Sequence, residues 1–538
     1  MMSTGEFGMS RRFVFFTMLL LVTPVAAEER PLRKIIDAEV DAGLKAQKIT
    51  PAGKSTDAEF LRRIYIDLVG TIPTYDETVQ FLKETDTSKR ERLIDKLLED
   101  PRFAKHQAEV WDLVLFGRHP AGNELTRNRD SFRKFLGEKI AKNEPYDQWV
   151  RDIMLTEKDG SEQFYAQFRN NPEEATVQIS RLFLGTQLQC ARCHDHPYDK
   201  WTQKDFFGMA GFFVRLVVAE TGSANARKAM IGEKSVGEVL FAGAAKDLKP
   251  GQKGDPVKPK FLGGNELAEP LAPKDAKVDA KEGAKLPKPS FSRRDKIVEW
   301  ITAKDNPYFA KAVTNRVWAQ YMGRGLAHPV DDLSEKSQVG LPTLLKEAES
   351  AMKAHKFDIK WFTRELVNSE TYQRTAKGPV TDPLPKWYEQ ARVRPLSAEE
   401  IIATFRQATL FDAEPRKDNS IPNSGDSYFM RFFGEPTDGL GEFQGSISEH
   451  LFLNNGHIWQ MIKGRKGTLS ELLATSKDSW EQKVDRLFLT VLSRPPSDAE
   501  RTKFVAFLKL PTAKGETASN IDEAIWVLMN SPEFRFNH

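Results

Sequence analysis

Cys190-Ala191-Arg192-Cys193-His194 places the only two cysteines of the chain three residues apart, with a histidine directly after the second. This is the C-x-x-C-H spacing of covalent c-type haem attachment. Two thiols on one turn add to the two haem vinyl groups, and the next imidazole ligates the iron. The same residues suit two other chemistries. The thiols can close as a redox or structural disulfide. Zinc or another divalent metal can also be held, because Cys190, Cys193, His194 and His196 offer four ligands at close quarters and Asp199 follows in HDHPYDKW. Cys190, Cys193 and His194 are therefore the candidate cofactor residues, and His194, His196 and Asp199 the candidate metal residues. For a sixth haem ligand the candidates are His196 and Met209, although Met209 in FFGMAGFF also reads as core.

His and carboxylate side by side in this stretch also suit acid–base or metal-assisted catalysis. No G-x-S-x-G, H-E-x-x-H, P-loop or dinucleotide fingerprint accompanies them, so enzymatic activity stays open. For Asp199 the competing reading is a helix cap or an ion pair with Lys200 or Lys204. Asp331-Asp332, after GRGLAHPV, has the charge to bind a cation but reads first as capping and surface charge at a loop-to-helix junction.

Lys and Arg number 79 against 76 Asp and Glu, a net charge of +3 over 538 residues, which argues against a nucleic-acid partner. At the N-terminus Arg11 and Arg12 precede an apolar run at 13–22, and Pro24-Val25-Ala26-Ala27 supplies small residues for cleavage. That is the layout of a secretory signal peptide, residues 1–27, removed after Ala27. The apolar run is too short for a permanent span of about 20 residues. The mature chain is expected to be periplasmic or extracellular, with no stable membrane span. An oxidising compartment suits both haem attachment and a disulfide.

The cysteines must be positioned by helices. From 32 to 213 apolar residues recur at helical spacing, as in Phe60, Leu61, Ile64, Tyr65 and Leu68. Thr56 with Glu59 and Thr74 with Glu77 read as capping boxes. Asn171-Pro172-Glu173-Glu174 starts a helix expected to run to about residue 189 and deliver the chain to Cys190. Short strands are expected at 214–218 and 236–241. Residues 244–290, crowded with Lys, Pro and Gly around one aromatic, Phe261, read as a protease-sensitive linker that buries no core. Helical periodicity returns at Arg293, with capping boxes at Ser397/Glu400 and Ser497/Glu500. The expected fold is mainly α: a helical domain at 32–213, a small β-containing, Pro/Lys-rich insert at 214–290, and a second helical domain at 291–538.

Several long stretches resemble a known pair of domains. FLRRIYIDLVGTIPT (60–74), RLIDKLLEDPRF (92–103), NEPYDQWVRDIM (143–154) and FLGTQLQCARCHDHPYDKWTQKDFFGMAGFF (183–213) resemble the domain of unknown function associated with cytochrome c modules in planctomycete-type secreted proteins. NPYFAKAVTNRVWAQYMGRGLAHPVDDL (306–333), DIKWFTRELVNSETYQR (358–374), RVRPLSAEE (392–400), VLSRPPSDAE (491–500) and LMNSPEFRFNH (528–538) resemble its C-terminal companion domain. The resemblance implies an exported protein of unsettled role. Its C-A-x-C-H-D-H-P signature falls on Cys190, Ala191, Cys193, His194, Asp195, His196 and Pro197; N-R-V-W falls on 315–318 and P-V-D-D on 329–332. A separate N-terminal cytochrome module, present in some relatives, is missing, and GSISEHLFLNNGH (445–457) matches only loosely. Three functions are consistent with these readings. The first is a single-haem electron-transfer or redox protein with a periplasmic redox partner or cytochrome. The others are a metal-dependent periplasmic enzyme, acting for example on polysaccharide, and a scaffold or binding protein with a C-x-x-C disulfide.

Overall fold

The computed structural model describes residues 1, 2, 5, 30–117, 129–168, 170–221, 228–241, 254–271, 289–334, 336–381, 385–411, 459, 462–464, 466–511 and 517–538. The expected signal segment lies almost wholly outside these residues, and 445–457 lies wholly outside. The fold is mainly α: the described residues form 20 helices with only small two-stranded sheets. None of the described helices is long and apolar enough to cross a membrane.

The first helix, α1 (Leu32–Gln47), is amphipathic: Leu32, Ile36, Val40 and Leu44, each four residues apart, form its buried stripe. The stripe does not stay within the N-terminal half. It packs on α13 (Pro342–Ala354) and α14 (Ile359–Val367), and Asp37 accepts the Thr371 backbone N–H at 3.0 Å while Asp41 pairs with Arg374 at 2.7 Å. One hydrophobic core consequently runs from Leu32 to Tyr388. Trp111, Tyr146, Trp149, Phe309 and Phe357 pack ring on ring at its centre, with centroids 4.6–5.4 Å apart. A second core is built from residues 396–534 and receives Ile66 and Ile72 from the first half. The buried apolar residues therefore divide near 388–396, not at the insert near 291. Helical periodicity reports which face is apolar; it does not report which helix covers it.

Helix α2 (Asp57–Val69) stands between the two cores, and every residue from Phe60 to Val69 is buried. Thr56 caps it, but Glu59 does not return the bond. Its carboxylate instead pairs with Arg63 at 2.7 Å and accepts the Ala376 N–H at 2.7 Å, so half of the expected capping box is replaced by a tertiary contact. The boxes at Thr74/Glu77, Ser397/Glu400 and Ser497/Glu500 form in full. After Val69 the chain turns at Gly70, with φ +70°. A side chain there would meet the ring of His106 at 2.4 Å, so glycine is needed for both the backbone conformation and the close approach.

The expected strands form as β1 (Leu216–Thr221), paired antiparallel with β2 (Lys228–Glu233), and β3 (Val239–Phe241), paired antiparallel with β4 (Asp255–Val257). The linker expected at 244–290 needs correction. Residues 254–271 pack onto the main core: Leu262 and Leu267 are buried, and the Phe261 ring lies 4.9 Å from Phe212 and 5.4 Å from Trp300. Glu269 receives Arg293 at 2.6 Å. Three well-spaced apolar residues suffice when a formed core supplies the opposing surface, a contribution that an average over Lys and Pro conceals. The remainder of that linker, 244–253 and 272–288, lies outside the described residues.

The C-terminal helices used below are α15 (Ala398–Thr409), α16 (Leu469–Thr475), α17 (Trp480–Val491), α18 (Asp498–Leu508), α19 (Thr517–Met529) and α20 (Pro532–Arg535). The last strand, β8 (Phe536–Asn537), pairs antiparallel with β7 (Arg394–Pro395) and returns the chain end to the seam between the cores.

Candidate functional site

Helix α9 (Pro172–Leu184) leads to the cysteines but ends earlier than the expected residue 189. Gly185 adopts the left-handed conformation (φ +57°) and stops it. Asn171 caps its start by accepting the Glu174 N–H at 3.1 Å, with Pro172 at the first helical position as expected. The end of α9 is held by the 329–333 loop: the Leu333 N–H donates to Gly185 O at 2.8 Å, and Arg181 pairs with Asp331 at 2.7 Å. Asp331 is thus a buried ion-pair partner, bound also by Arg316, and not the surface charge read from its neighbours. Asp332 caps locally, accepting the Ser334 N–H at 3.1 Å. Asn315 fixes the same loop from α12 (Phe309–Met322) through bonds to Ala327 O at 2.8 Å and Val330 O at 3.0 Å. Two motifs more than a hundred residues apart in sequence are in this way mechanically joined.

Cys190, Ala191 and Arg192 form a single 3-10 turn, closed by the Cys193 N–H to Cys190 O at 3.3 Å and followed by the His194 N–H to the same oxygen at 3.4 Å. Ala191 points into the core, whereas both thiols are exposed and are not joined to one another. Arg192 pairs with Glu173 on the first turn of α9 at 2.5 Å, which fastens the turn from outside. His194 is exposed, and its Nδ1 lies 2.8 Å from the carbonyl oxygen of Asp195. A carbonyl only accepts, so Nδ1 carries the proton and Nε2 keeps its lone pair free for a metal.

The neighbouring residues take other roles. His196 Nδ1 accepts the Tyr198 N–H at 3.3 Å. Asp199 accepts the adjacent Lys200 N–H at 2.7 Å. Asp195 accepts the Gln203 N–H at 2.9 Å and so binds the start of α10 (Gln203–Ala210). Met209 is fully buried in the core. The candidate metal residues His194, His196 and Asp199 are therefore not brought together, and among the described residues no three His, Cys, Asp or Glu side chains converge as a metal site.

Thr202 opens α10 with a full capping box to Asp205, whose other oxygen receives Lys260 at 2.8 Å. Thr202→Ala is expected to cost about 1 kcal/mol of stability and to loosen the loop 194–202 that α10 anchors. Thermal denaturation and amide exchange at 194–203 measure the two effects, and an unchanged exchange pattern would show that the loop is held elsewhere.

Sequence reasoning missed a second cluster. A cavity of about 250 Å³ is lined by Asp67, His106, Arg316, Asp331, Arg392, Arg394 and Glu400, from five separate stretches of chain. Asp67 accepts from Arg392 at 3.1 Å, Arg394 at 2.9 Å, Tyr372 OH at 2.9 Å and Asn537 at 2.9 Å. Glu400 accepts Arg394 at 2.7 Å and lies 3.8 Å from His106 Nε2. Burial pushes the Glu400 carboxyl up, but the charge and hydrogen bonds of Arg394, with His106 and the Ser397 amide, outweigh it and bring it down to about 2. Burial lowers the His106 imidazole, against the pull of Glu400. The available signal was the density of charge in RVRPLSAEE and IYIDLVG, stretches otherwise apolar enough to be core.

Two family models match the chain. Residues 35–217 match PSCyt2, described as a protein of unknown function (DUF1549), and residues 293–424 match PSD1, described as a protein of unknown function (DUF1553). Neither the curated proteins nor the solved structures give a match.

Proposed function

Because the chain belongs to the proteins in which a PSCyt2 domain precedes a PSD1 domain, families without an assigned activity, its function has to be read from its own residues, and we propose that it is an exported c-type haem protein serving electron transfer. Cys190 and Cys193 would hold the haem as thioethers and His194 would ligate its iron, the bound group supplying one-electron redox chemistry. One observation carries this reading: two exposed, unjoined thiols share a single 3-10 turn, and the next residue presents an exposed imidazole whose Nδ1 bond to Asp195 O leaves Nε2 as the ligating atom. A carbonyl behind the ring orients it and raises its basicity. The surroundings of the turn supply rigidity through Arg192, Gly185 and the Asp331 loop. The signal sequence, an oxidising compartment and a periplasmic redox partner or cytochrome are parts of the same proposal.

Expression with its own leader in a host that attaches haem tests it. The exported protein is expected to retain haem absorbance after denaturation and acid–acetone extraction. Cys190→Ala with Cys193→Ala should abolish that covalent signal, and His194→Ala should change the spin state while leaving the haem attached. A colourless exported protein, with its thiols oxidised to a disulfide or bound to zinc, overturns the proposal.

A further inference from the structure

Charge accounting of the buried arginines exposes one that stands apart. Among the described residues, Arg63, Arg90, Arg129, Arg215, Arg293 and Arg374 are buried, and each donates to a carboxylate: Glu59 at 2.7 Å, Asp57 at 2.8 Å, Asp112 at 2.7 Å, Glu238 at 3.0 Å, Glu269 at 2.6 Å and Asp41 at 2.7 Å respectively. Arg62 is only 1% exposed and has no such partner. Its Nη2 donates to Phe534 O at 2.7 Å and its guanidinium lies over the Phe534 ring, while Nε and Nη1 have no hydrogen-bond partner among the described residues. Burying an ion without a counterion is costly, which is why the other six are paired.

Arg62 forms part of the wall of a cleft of about 1030 Å³ between α2, the 375–377 segment and the C-terminal part of the chain, namely the 492–497 turn, α18, α20 and β8. The carboxylates of Glu59, Glu500 and Glu533 in this wall are already committed. Glu500 and Glu533 are both held by Arg494, at 2.8 and 2.7 Å, and Glu59 by Arg63, the Thr375 hydroxyl and the Ala376 N–H, while His538 O accepts Arg63 Nε at 3.1 Å. At the rim Lys54 and Lys377 are exposed and form no ion pair among the described residues. The remaining wall is largely apolar, with Val393, Leu492 and Phe536 contributing. A guanidinium just beneath the wall with no carboxylate in hydrogen-bond reach, an apolar body and a basic rim make a cleft suited to a small molecule with one negative charge.

The geometry points to this cleft as the binding site of an amphipathic organic monoanion, its carboxylate answering Arg62 and its apolar body lying against Val393, Leu492 and Phe536. A single guanidinium offsets a single charge, and a dianion such as phosphate would bring surplus negative charge next to Glu500 and Glu533. A bound ligand would bridge α2 and the C-terminal turn 492–497 with α18 and α20, so occupancy should stabilise the seam. This inference is independent of the haem proposal, since the cleft shares no residue with the Cys190–His194 turn.

Octanoate is the probe, titrated by calorimetry against the full mature chain, with octanol and sodium acetate as controls that keep only the apolar body or only the single carboxylate charge. Octanoate is expected to bind saturably and to raise the thermal midpoint. Octanol and acetate should each bind about tenfold or more weakly, and Arg62→Met should weaken octanoate by about tenfold or more, the scale of a lost charge-assisted bond. Val393→Trp fills the cleft without touching Arg62 and should abolish binding in a folded protein, so the test survives if Arg62→Met does not fold. Absence of saturable octanoate binding, equal binding of octanol, or undiminished binding by either variant overturns the inference.

Discussion

Asp67→Ala is expected to destabilise the protein by about 3–5 kcal/mol, because it removes the shared partner of two largely enclosed cations instead of one exposed pair. Asp67 lies on α2 and is 3% exposed. Its carboxylate gathers Arg392, Arg394, Tyr372 and Asn537, residues 305 to 470 positions away in sequence. Arg394 would keep Glu400, but Arg392, its side chain only 12% exposed, would be left with no carboxylate in hydrogen-bond reach among the described residues. Since Asp67 joins the first core to the strand pair that closes the second, the loss should appear as uncoupling as well: thermal unfolding that is a single transition in the parent should split into two. Asp67→Asn, which keeps the shape but not the charge, should fall between the two proteins. A midpoint for Asp67→Ala close to that of the parent would show that water replaces the carboxylate at this site.

Acid should attack the same network through Glu400. Its folded carboxyl is drawn from the ordinary 4.5 down to about 2, so the ionised form is favoured by folding. A lowered folded value contributes stability that is fully present above the ordinary value and is lost as pH falls from about 4.5 through about 2. The interval is worth about 3 kcal/mol. Glu500, brought down to about 2 chiefly by its hydrogen bonds from Arg494, acts in the same direction but contributes less, since its side chain is 34% exposed and solvent screens the pair. Urea midpoints measured between pH 6 and pH 2 should fall across this window. In Glu400→Gln the midpoint should start lower at pH 6 and fall less steeply below pH 4.5. Parallel curves for the two proteins would assign the acid sensitivity to other carboxylates.

The amino-acid sequence by itself determined the features that depend on neighbours three or four residues away. The capping boxes at Thr74, Ser397 and Ser497 and the Cys190–His194 turn are closed by bonds within one or two turns of chain, so residue type and spacing suffice. The mainly helical fold and the order of its two domains were legible for the same reason, since periodicity and long motifs are local records. Only the tertiary structure decided what the charges do. Glu59 left its local box for Arg63, the Thr375 hydroxyl and the Ala376 N–H, and Asp331 became the buried partner of Arg181 and Arg316. Asp67 gathered two arginines from more than 300 residues away, while among the described residues Arg62 is the one buried arginine that received no carboxylate. An ion pair is specified by two side chains and the distance between them. When that distance is set by how two cores dock hundreds of residues apart, no window of sequence contains it.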